Sequence, residues 1–239
     1  MDRASLAIAT ITWARDKEEE ILLGESLTAL SRVGIPVFVT DGGSSPAHQE
    51  HVRSLPNVLL FEAKGLWAQA KKSLTEARLA GAKTILYTEP DKLDFFQQHL
   101  PTFLESSGWE KGRGVVLAAR SATAFASFPA FQQMTERTIN RCCAELTGLE
   151  TDYLYGPFLF DAEILSHLDV LPETCGWGWR SFLFAKAHLL GYKLAEVDGD
   201  YFCPPAQRAD DQTERVYRMK QLAQNIDGLV LAAGTHKAV

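Results

Sequence analysis

Two hydrophobic periods alternate along this chain. Short apolar, β-prone runs are separated by longer stretches in which apolar residues recur every three or four positions. That alternation predicts a three-layer α/β sandwich with a mainly parallel central sheet. The first run, "LAIATITW" (Leu6 to Trp13), reads as a strand. Asp16 then stands at a helix N-cap with Glu19 three residues on, and Ile21, Leu23, Leu27, Leu30 and Val33 share one face before Gly34 ends the helix. A second strand, "IPVFVT", runs into "DGGSSP", where Ser44 or Ser45 caps a helix that has Pro46 at its first position.

The strand "NVLLFEA" leads to the helix "KGLWAQAKKSLTEARLAG", whose inner face holds Trp67, Ala70, Leu74 and Ala77. A fourth strand, "KTILYT", ends in "EPDK". Beyond it, "LDFFQQHLPTFLESS" reads as helical with a break before Pro101, and "GVVLAARS" as a strand. A long helix, "PAFQQMTERTINRCCAELTG", precedes the strand or loop "DYLYGPFLF" and the helix "AEILSHL". The loop "PETCGWGWR", the helix "SFLFAKAHLLG", the strand "YKLAEV" and the loop "DGDYFCPPAQRADD" follow. In the last helix, "QTERVYRMKQLAQNI", Val216, Met219, Leu222 and Ile226 recur at helical spacing and are expected to pack on the body, with "GTHKAV" as a frayed tail. With 239 residues, 46% of them hydrophobic, the chain suffices for one large domain, expected over 1–208, plus a C-terminal helix over 209–239.

Charge narrows the range of partners. The net charge is −6 and no basic run exceeds two residues, which argues against a nucleic-acid backbone as partner while leaving a nucleotide ligand open. The opening "MDRASLAIATITWARD" does not resemble a secretory signal, and no run approaches the roughly 20 apolar residues of a membrane span, so a cytoplasmic protein is expected. Cys142, Cys143, Cys175 and Cys203 form no C-x-x-C pair, and reduced, partly buried thiols are expected.

Ligands of parallel α/β sheets gather at the carboxyl ends of the strands. Asp41 leaves the second strand there; it either ties its own turn or accepts hydrogen bonds from a nucleobase or ribose. Glu89 and Asp91 flank Pro90 after the fourth strand, and such a pair can hold Mg²⁺ or Mn²⁺ through oxygen, or form a solvated turn. Trp177 and Trp179, with glycines between and before them, offer either flat surfaces to a sugar or packing to the core. The six histidines show no metal-ligand spacing and are expected to be structural or solvated. Neither G-x-S-x-G, G-x-G-x-x-G nor G-x-x-x-x-G-K-[ST] occurs, which removes the common hydrolase, dinucleotide and P-loop readings.

In order and spacing, "IATITWARDKEEEILLGESLTAL", "PVFVTDGGSS", "KGLWAQAKKSLTEARLAGAKTILYTEPD" and "GWGWRSFLFAKAHLLGYKLAEV" resemble a divergent glycosyltransferase of the GT-A type, family-2-like. The resemblance implies a nucleotide-diphosphate sugar donor held by Thr10, Thr12, Asp41, Gly65 and Lys72. It makes "EPD" a variant of the Asp-X-Asp motif, with Glu89 and Asp91 on the metal, and sets Trp177, Trp179 and Arg180 at an unidentified acceptor. Where such enzymes carry a Glu-Asp pair as base, this chain has Arg180-Ser181, and an arginine stays protonated. Three explanations remain: a base from elsewhere, with Glu173 and Asp152 nearest; a retaining reaction that needs none; or a scaffold that binds nucleotide or sugar without turnover. Arg180 also suits an anionic acceptor. A sugar-nucleotide pyrophosphorylase fits less well, because "TWARDKEEE" lacks a glycine-rich basic loop.

Overall fold

The computed structural model describes residues 5–109 and 113–236. Its class is the expected one, with seven strands, most of them parallel, and helices on both faces. The chain divides into two compact units, Met1–Glu110 with Gly156–Leu165 and Lys111–Tyr155 with Ser166–Val239.

The first unit contains β1 (Leu6–Thr12), β2 (Val37–Asp41), β3 (Val58–Glu62), β4 (Thr84–Tyr87) and β6 (Phe158–Asp161), in the order β3-β2-β1-β4-β6. The first four are mutually parallel and β6 runs antiparallel to β4. Their helices are α1 (Lys17–Ser31), α2 (Pro46–Ser54), α3 (Leu66–Leu79) and α4 (Leu100–Ser106). Asp16 caps α1 by accepting from the Glu19 N–H, and Ser45 caps α2 with Pro46 at its start, so both sequence signals act as capping physics requires. Trp67, Ala70, Leu74 and Ala77 of α3 are buried against β1 and β2, and each large apolar side chain so placed contributes about 1.5–3 kcal/mol.

Two expectations for this unit are corrected. Ile21 is 62% exposed, because the buried face of α1 runs through Leu23, Leu27 and Leu30, and Val33 lies beyond the C-cap Arg32. The break before Pro101 is a π-helical turn over Phe95–His99, which gives way to α4 with Pro101 in its first turn, where its missing N–H costs nothing.

The second unit pairs β5 (Arg113–Arg120) parallel to β7 (Lys193–Gly199). With them go α5 (Ala122–Ala126), α6 (Ala130–Thr147), α7 (Gly178–Leu189) and α8 (Gln212–His236). Gly148, at φ 72°, ends α6 in the left-handed conformation that glycine adopts without strain. The segment "AEILSHL", expected as a helix, lies in a 3₁₀ run, Ala162–Val170. The last helix outruns its expected end at Ile226 and includes Gly234 to His236, the start of the tail expected to fray; residues 237–239 lie outside the described residues. Val216 and Met219, expected to face inward, are 39% and 49% exposed. Asn225, Gly228, Leu229 and Ala232 form the buried face instead. No helix among the described residues is long and apolar enough to cross a membrane.

Candidate functional site

Parallel strands deliver their carboxyl ends to one edge, and in the first unit that edge is strongly polar although it is buried. Thr10, Thr12, Thr40, Asp41 and Thr88 are all at most 1% exposed. Thr12 and Asp41 are register partners across β1 and β2, and the Gly42 N–H donates to the Thr12 carbonyl at 2.8 Å. The Asp41 carboxylate ties the following turn: Gly43 N–H, Ser44 N–H, Ser44 Oγ and Gln49 Nε2 donate to it at 2.5 to 3.2 Å. Ser44 Oγ also accepts from the Ala14 N–H at 2.8 Å, which joins the loops after β1 and β2.

Two residues that the sequence does not single out as chemistry belong to this cluster. His48, expected to be structural or solvated, is buried with its Nε2 3.1 Å from Thr12 Oγ1. Burial pushes its imidazole below the ordinary histidine value, against the pull of Asp41 and Glu20 and with the help of His51, so the ring is held neutral. Gln69, in the first turns of α3, is 4% exposed, and its Oε1 has no hydrogen-bond partner among the described residues. A Cβ on Gly42 would lie 2.8 Å from Gln69 Nε2, so this glycine is what lets the amide reach the turn. Neither signal is local: Gln69 lies off the apolar stripe of Trp67, Ala70, Leu74 and Ala77, and nothing beside His48 in the sequence reveals that its side chain reaches a strand terminus.

Gly65, after β3, is the N-cap of α3 at φ 96°, a conformation suited to glycine, and the space beside its α-carbon is open. Lys72 stands further along α3, where its ammonium pairs with Glu76 at 2.6 Å and sits 5.3 Å from the Phe61 ring. It is thereby engaged away from the Asp41 turn in sequence and in partners.

Glu89 and Asp91 follow β4 on the turn that holds Pro90. Glu89 is 8% exposed, and its carboxylate packs so closely on Gly156, at φ 134°, that a Cβ there would overlap it. Lys92 Nζ lies 3.3 Å from Asp91 Oδ2. No group of three or more His, Cys, Asp or Glu side chains placed to hold a metal ion occurs among the described residues. The turn thus offers two carboxylates, Glu89 and Asp91, and a hard cation held there would take its remaining ligands from a diphosphate and water.

In the second unit the central feature is a buried ion network. Arg120, at the end of β5, donates from Nε to Asp152 at 2.6 Å and from one terminal nitrogen to Asp152 at 3.0 Å and Glu136 at 2.6 Å. Gln132 completes Glu136, while Asn140 and the Leu154 N–H complete Asp152. The guanidinium lies over Phe125 and Phe128, 4.6 and 4.3 Å from their centroids. Burial alone would raise the Asp152 carboxyl, but the Arg120 charge and hydrogen bonds overcome it and hold the group below the usual range. Asp152 is one of the two candidate bases, yet its oxygens are committed to Arg120, Asn140 and backbone N–H groups. Glu173, the other candidate, is exposed on a short 3₁₀ turn, Glu173–Cys175.

The "CGWGWR" segment is not the loop expected. Gly178 opens α7, and Trp179 and Arg180 occupy its first turn. Trp179 is 0% exposed and packs in the core. The glycines serve a helix crossing: a Cβ on Gly178 would strike the backbone at Gln224, and one on Gly228 would strike Gly178. Trp177 is half-buried, donating from Nε1 to Tyr217 Oη at 2.9 Å. Arg180 is 6% exposed; it donates to the Tyr153 carbonyl at 3.2 Å and lies 5.6 Å from the Trp177 ring. The four cysteines are free thiols, with Cys143 and Cys203 buried.

No family model matches the chain, and neither does any curated protein. Solved structures do. Mannosyl-3-phosphoglycerate synthase from Rubrobacter xylanophilus is similar at TM-score 0.70 and 14% identity, over 98% of this chain and 75% of that one. Glucosyl-3-phosphoglycerate synthase from Mycobacterium tuberculosis, in complex with Mg²⁺ and UDP, is similar at TM-score 0.64 and 16% identity, over 97% and 81%. The same enzyme with Mn²⁺, UDP-glucose and phosphoglyceric acid gives TM-score 0.65 at 15% identity, over 97% and 81%. At such identities the likeness speaks for the fold, and the fold of this chain is that of the GT-A glycosyltransferases.

Proposed function

We propose that the chain transfers a hexosyl group from a nucleotide-diphosphate sugar to a small anionic acceptor of the phosphoglycerate kind, with Mn²⁺ or Mg²⁺. The observation that supports this most is the buried polar edge of the first unit. It gathers Thr12, Asp41, His48 and Gln69, with the Gln69 Oε1 left unsatisfied among the described residues. An orphaned buried acceptor costs about 1–3 kcal/mol, a cost that a nucleoside donor group would relieve. The similar structures carry UDP-glucose, UDP, Mn²⁺ and phosphoglyceric acid, which makes that ligand set the natural one to test.

In this reading Asp41 and Gln69 hold the nucleoside, and Gly65 leaves room at the start of α3 for phosphate. Glu89 and Asp91 hold the cation, whose part is to neutralise charge on the departing diphosphate. Trp177 and Arg180, in the second unit, are the residues we assign to an acceptor, and Trp179 packs in that unit's core. Of the two candidate bases, Asp152 is committed to Arg120 and Glu173 is the one with an exposed carboxylate; a retaining reaction would need neither.

Thermal unfolding with UDP or GDP and Mn²⁺ tests the donor site. A nucleotide at a hundred times its Kd stabilises by about 2.7 kcal/mol. For a chain of this size that is roughly 5–10 °C. Asp91→Ala should abolish the metal-dependent part. An unchanged melting temperature across the common nucleotide diphosphates would refute the proposal. Stabilisation without nucleotide release from UDP-glucose or GDP-mannose in the presence of 3-phosphoglycerate would reduce it to binding alone.

A further inference from the structure

α8 is apolar on two faces. The inward one, through Asn225, Gly228, Leu229 and Ala232, is buried within the second unit. The outward one carries Val216, Met219 and Val230, which are 39%, 49% and 66% exposed, together with exposed Ala223 and half-buried Ile226 and Ala233. These six fall into a heptad: Val216, Ala223 and Val230 repeat every seven residues, as do Met219, Ile226 and Ala233. That is the seam of a paired helix, and it extends over most of a helix about 37 Å long. Scattered exposed apolar residues are ordinary, whereas a continuous stripe in register marks a contact surface.

We propose that α8 is the surface through which two copies of this chain associate, as an antiparallel helix pair with its twofold axis at Ala223. The charges beside the stripe select both the occupant and the direction. Lys220 and Asp227, both exposed, flank Ala223 on the same side of the seam, three and four residues away. In the antiparallel register Lys220 meets Asp227 of the second copy, and the symmetry makes the ion pair twice. Val216 meets Val230 of the second copy, and the two Ala223 side chains, the smallest on the seam, allow close approach at the axis. A parallel pair would set Lys220 beside Arg215 of the second copy, like against like. The pattern is therefore complementary to itself only when reversed.

Sedimentation velocity of the full chain across a concentration series tests this, with expected growth of a species of twice the chain mass. Val216→Glu should leave monomer throughout. Lys220→Glu and Asp227→Lys should each weaken association at least tenfold, and the double variant, which exchanges the charges and keeps them complementary, should restore it. Mild oxidation should cross-link Ala223→Cys to itself far beyond the wild-type background. Val216→Cys should not self-link, because its counterpart would lie about 21 Å away along the pair. Three results would overturn the proposal: a wild-type chain that stays monomeric at every concentration, association unaffected by Val216→Glu and Lys220→Glu, or ready self-linking of Val216→Cys.

Discussion

Asp41 and Asp152 are both buried aspartates that accept at least four hydrogen bonds, yet the molecule treats them differently. Asp41 is surrounded by neutral donors, the turn's N–H groups with Ser44 and Gln49. Asp152 is paired with a guanidinium that it shares with Glu136. Neutral donors solvate a charge without cancelling it, so the field of Asp41 still reaches a ligand or a nearby imidazole. An ion pair cancels it locally, and what remains is a rigid tie between β5, α6 and the segment before Tyr153. The first arrangement suits a site and the second suits a scaffold.

The scaffold side of that comparison breaks most easily. Arg120→Met removes the cation between two buried carboxylates while keeping much of the packing against Phe125 and Phe128. Stranding buried charge in this way costs about 3–5 kcal/mol, and the melting temperature should fall by roughly 6–20 °C. Replacing Arg120, Glu136 and Asp152 together with apolar residues should recover most of that loss, because the desolvation penalty leaves with the charges. Equal melting of the single variant and wild type would mean that the network contributes nothing.

Asp41→Asn sharpens the contrast at a smaller scale. The amide keeps one acceptor but turns an N–H₂ toward donors, losing charge-assisted bonds worth about 1.5–3 kcal/mol each while partly relaxing around the new group. A net loss of about 1–3 kcal/mol is expected in urea unfolding, together with loss of any nucleotide-dependent stabilisation. Arg120 variants that still fold should retain that stabilisation. If Asp41→Asn keeps full nucleotide response, Asp41 only ties its own turn.

The two networks also differ in how far the sequence reveals them. Asp41 and its donors Gly43, Ser44 and Gln49 lie within nine residues, so turn chemistry alone is enough to single out the aspartate. Arg120 stands 16 residues from Glu136 and 32 from Asp152, and no local pattern announces such a pairing. Strands and helices are legible for the same reason that Asp41 is: period and capping are local. The sequence misleads where period leaves a face or a role undetermined. "GWGWR" has the composition of a pocket loop, but its glycines answer to Gln224 and Gly228 on a distant helix. Val216 and Met219 have helical spacing, yet the face that packs inward is the one through Asn225 and Leu229.

The smallest effect is the dependence of stability on pH, and it separates the Arg120 network, through Asp152, from the polar edge, through His48. The Asp152 carboxyl is buried, which pushes it up, but Arg120 prevails and its folded value is depressed. Its contribution is complete above the ordinary aspartate range near 3.9 and is lost as the pH falls through the folded value, so it shapes only the acid limb. His48 is depressed first by burial, with the Asp41 charge opposing. Its neutral ring contributes fully above about 6.5, and that contribution declines as acid charges the unfolded chain. Urea midpoints measured from pH 8 to pH 3 should therefore show two separate declines. His48→Gln should flatten the upper one alone, and Asp152→Asn the lower one alone. If His48→Gln leaves the slope between pH 7 and pH 5 unchanged, the imidazole is not held neutral beside Thr12. The polar edge would then lack the fixed neutral group that distinguishes it from the Arg120 network.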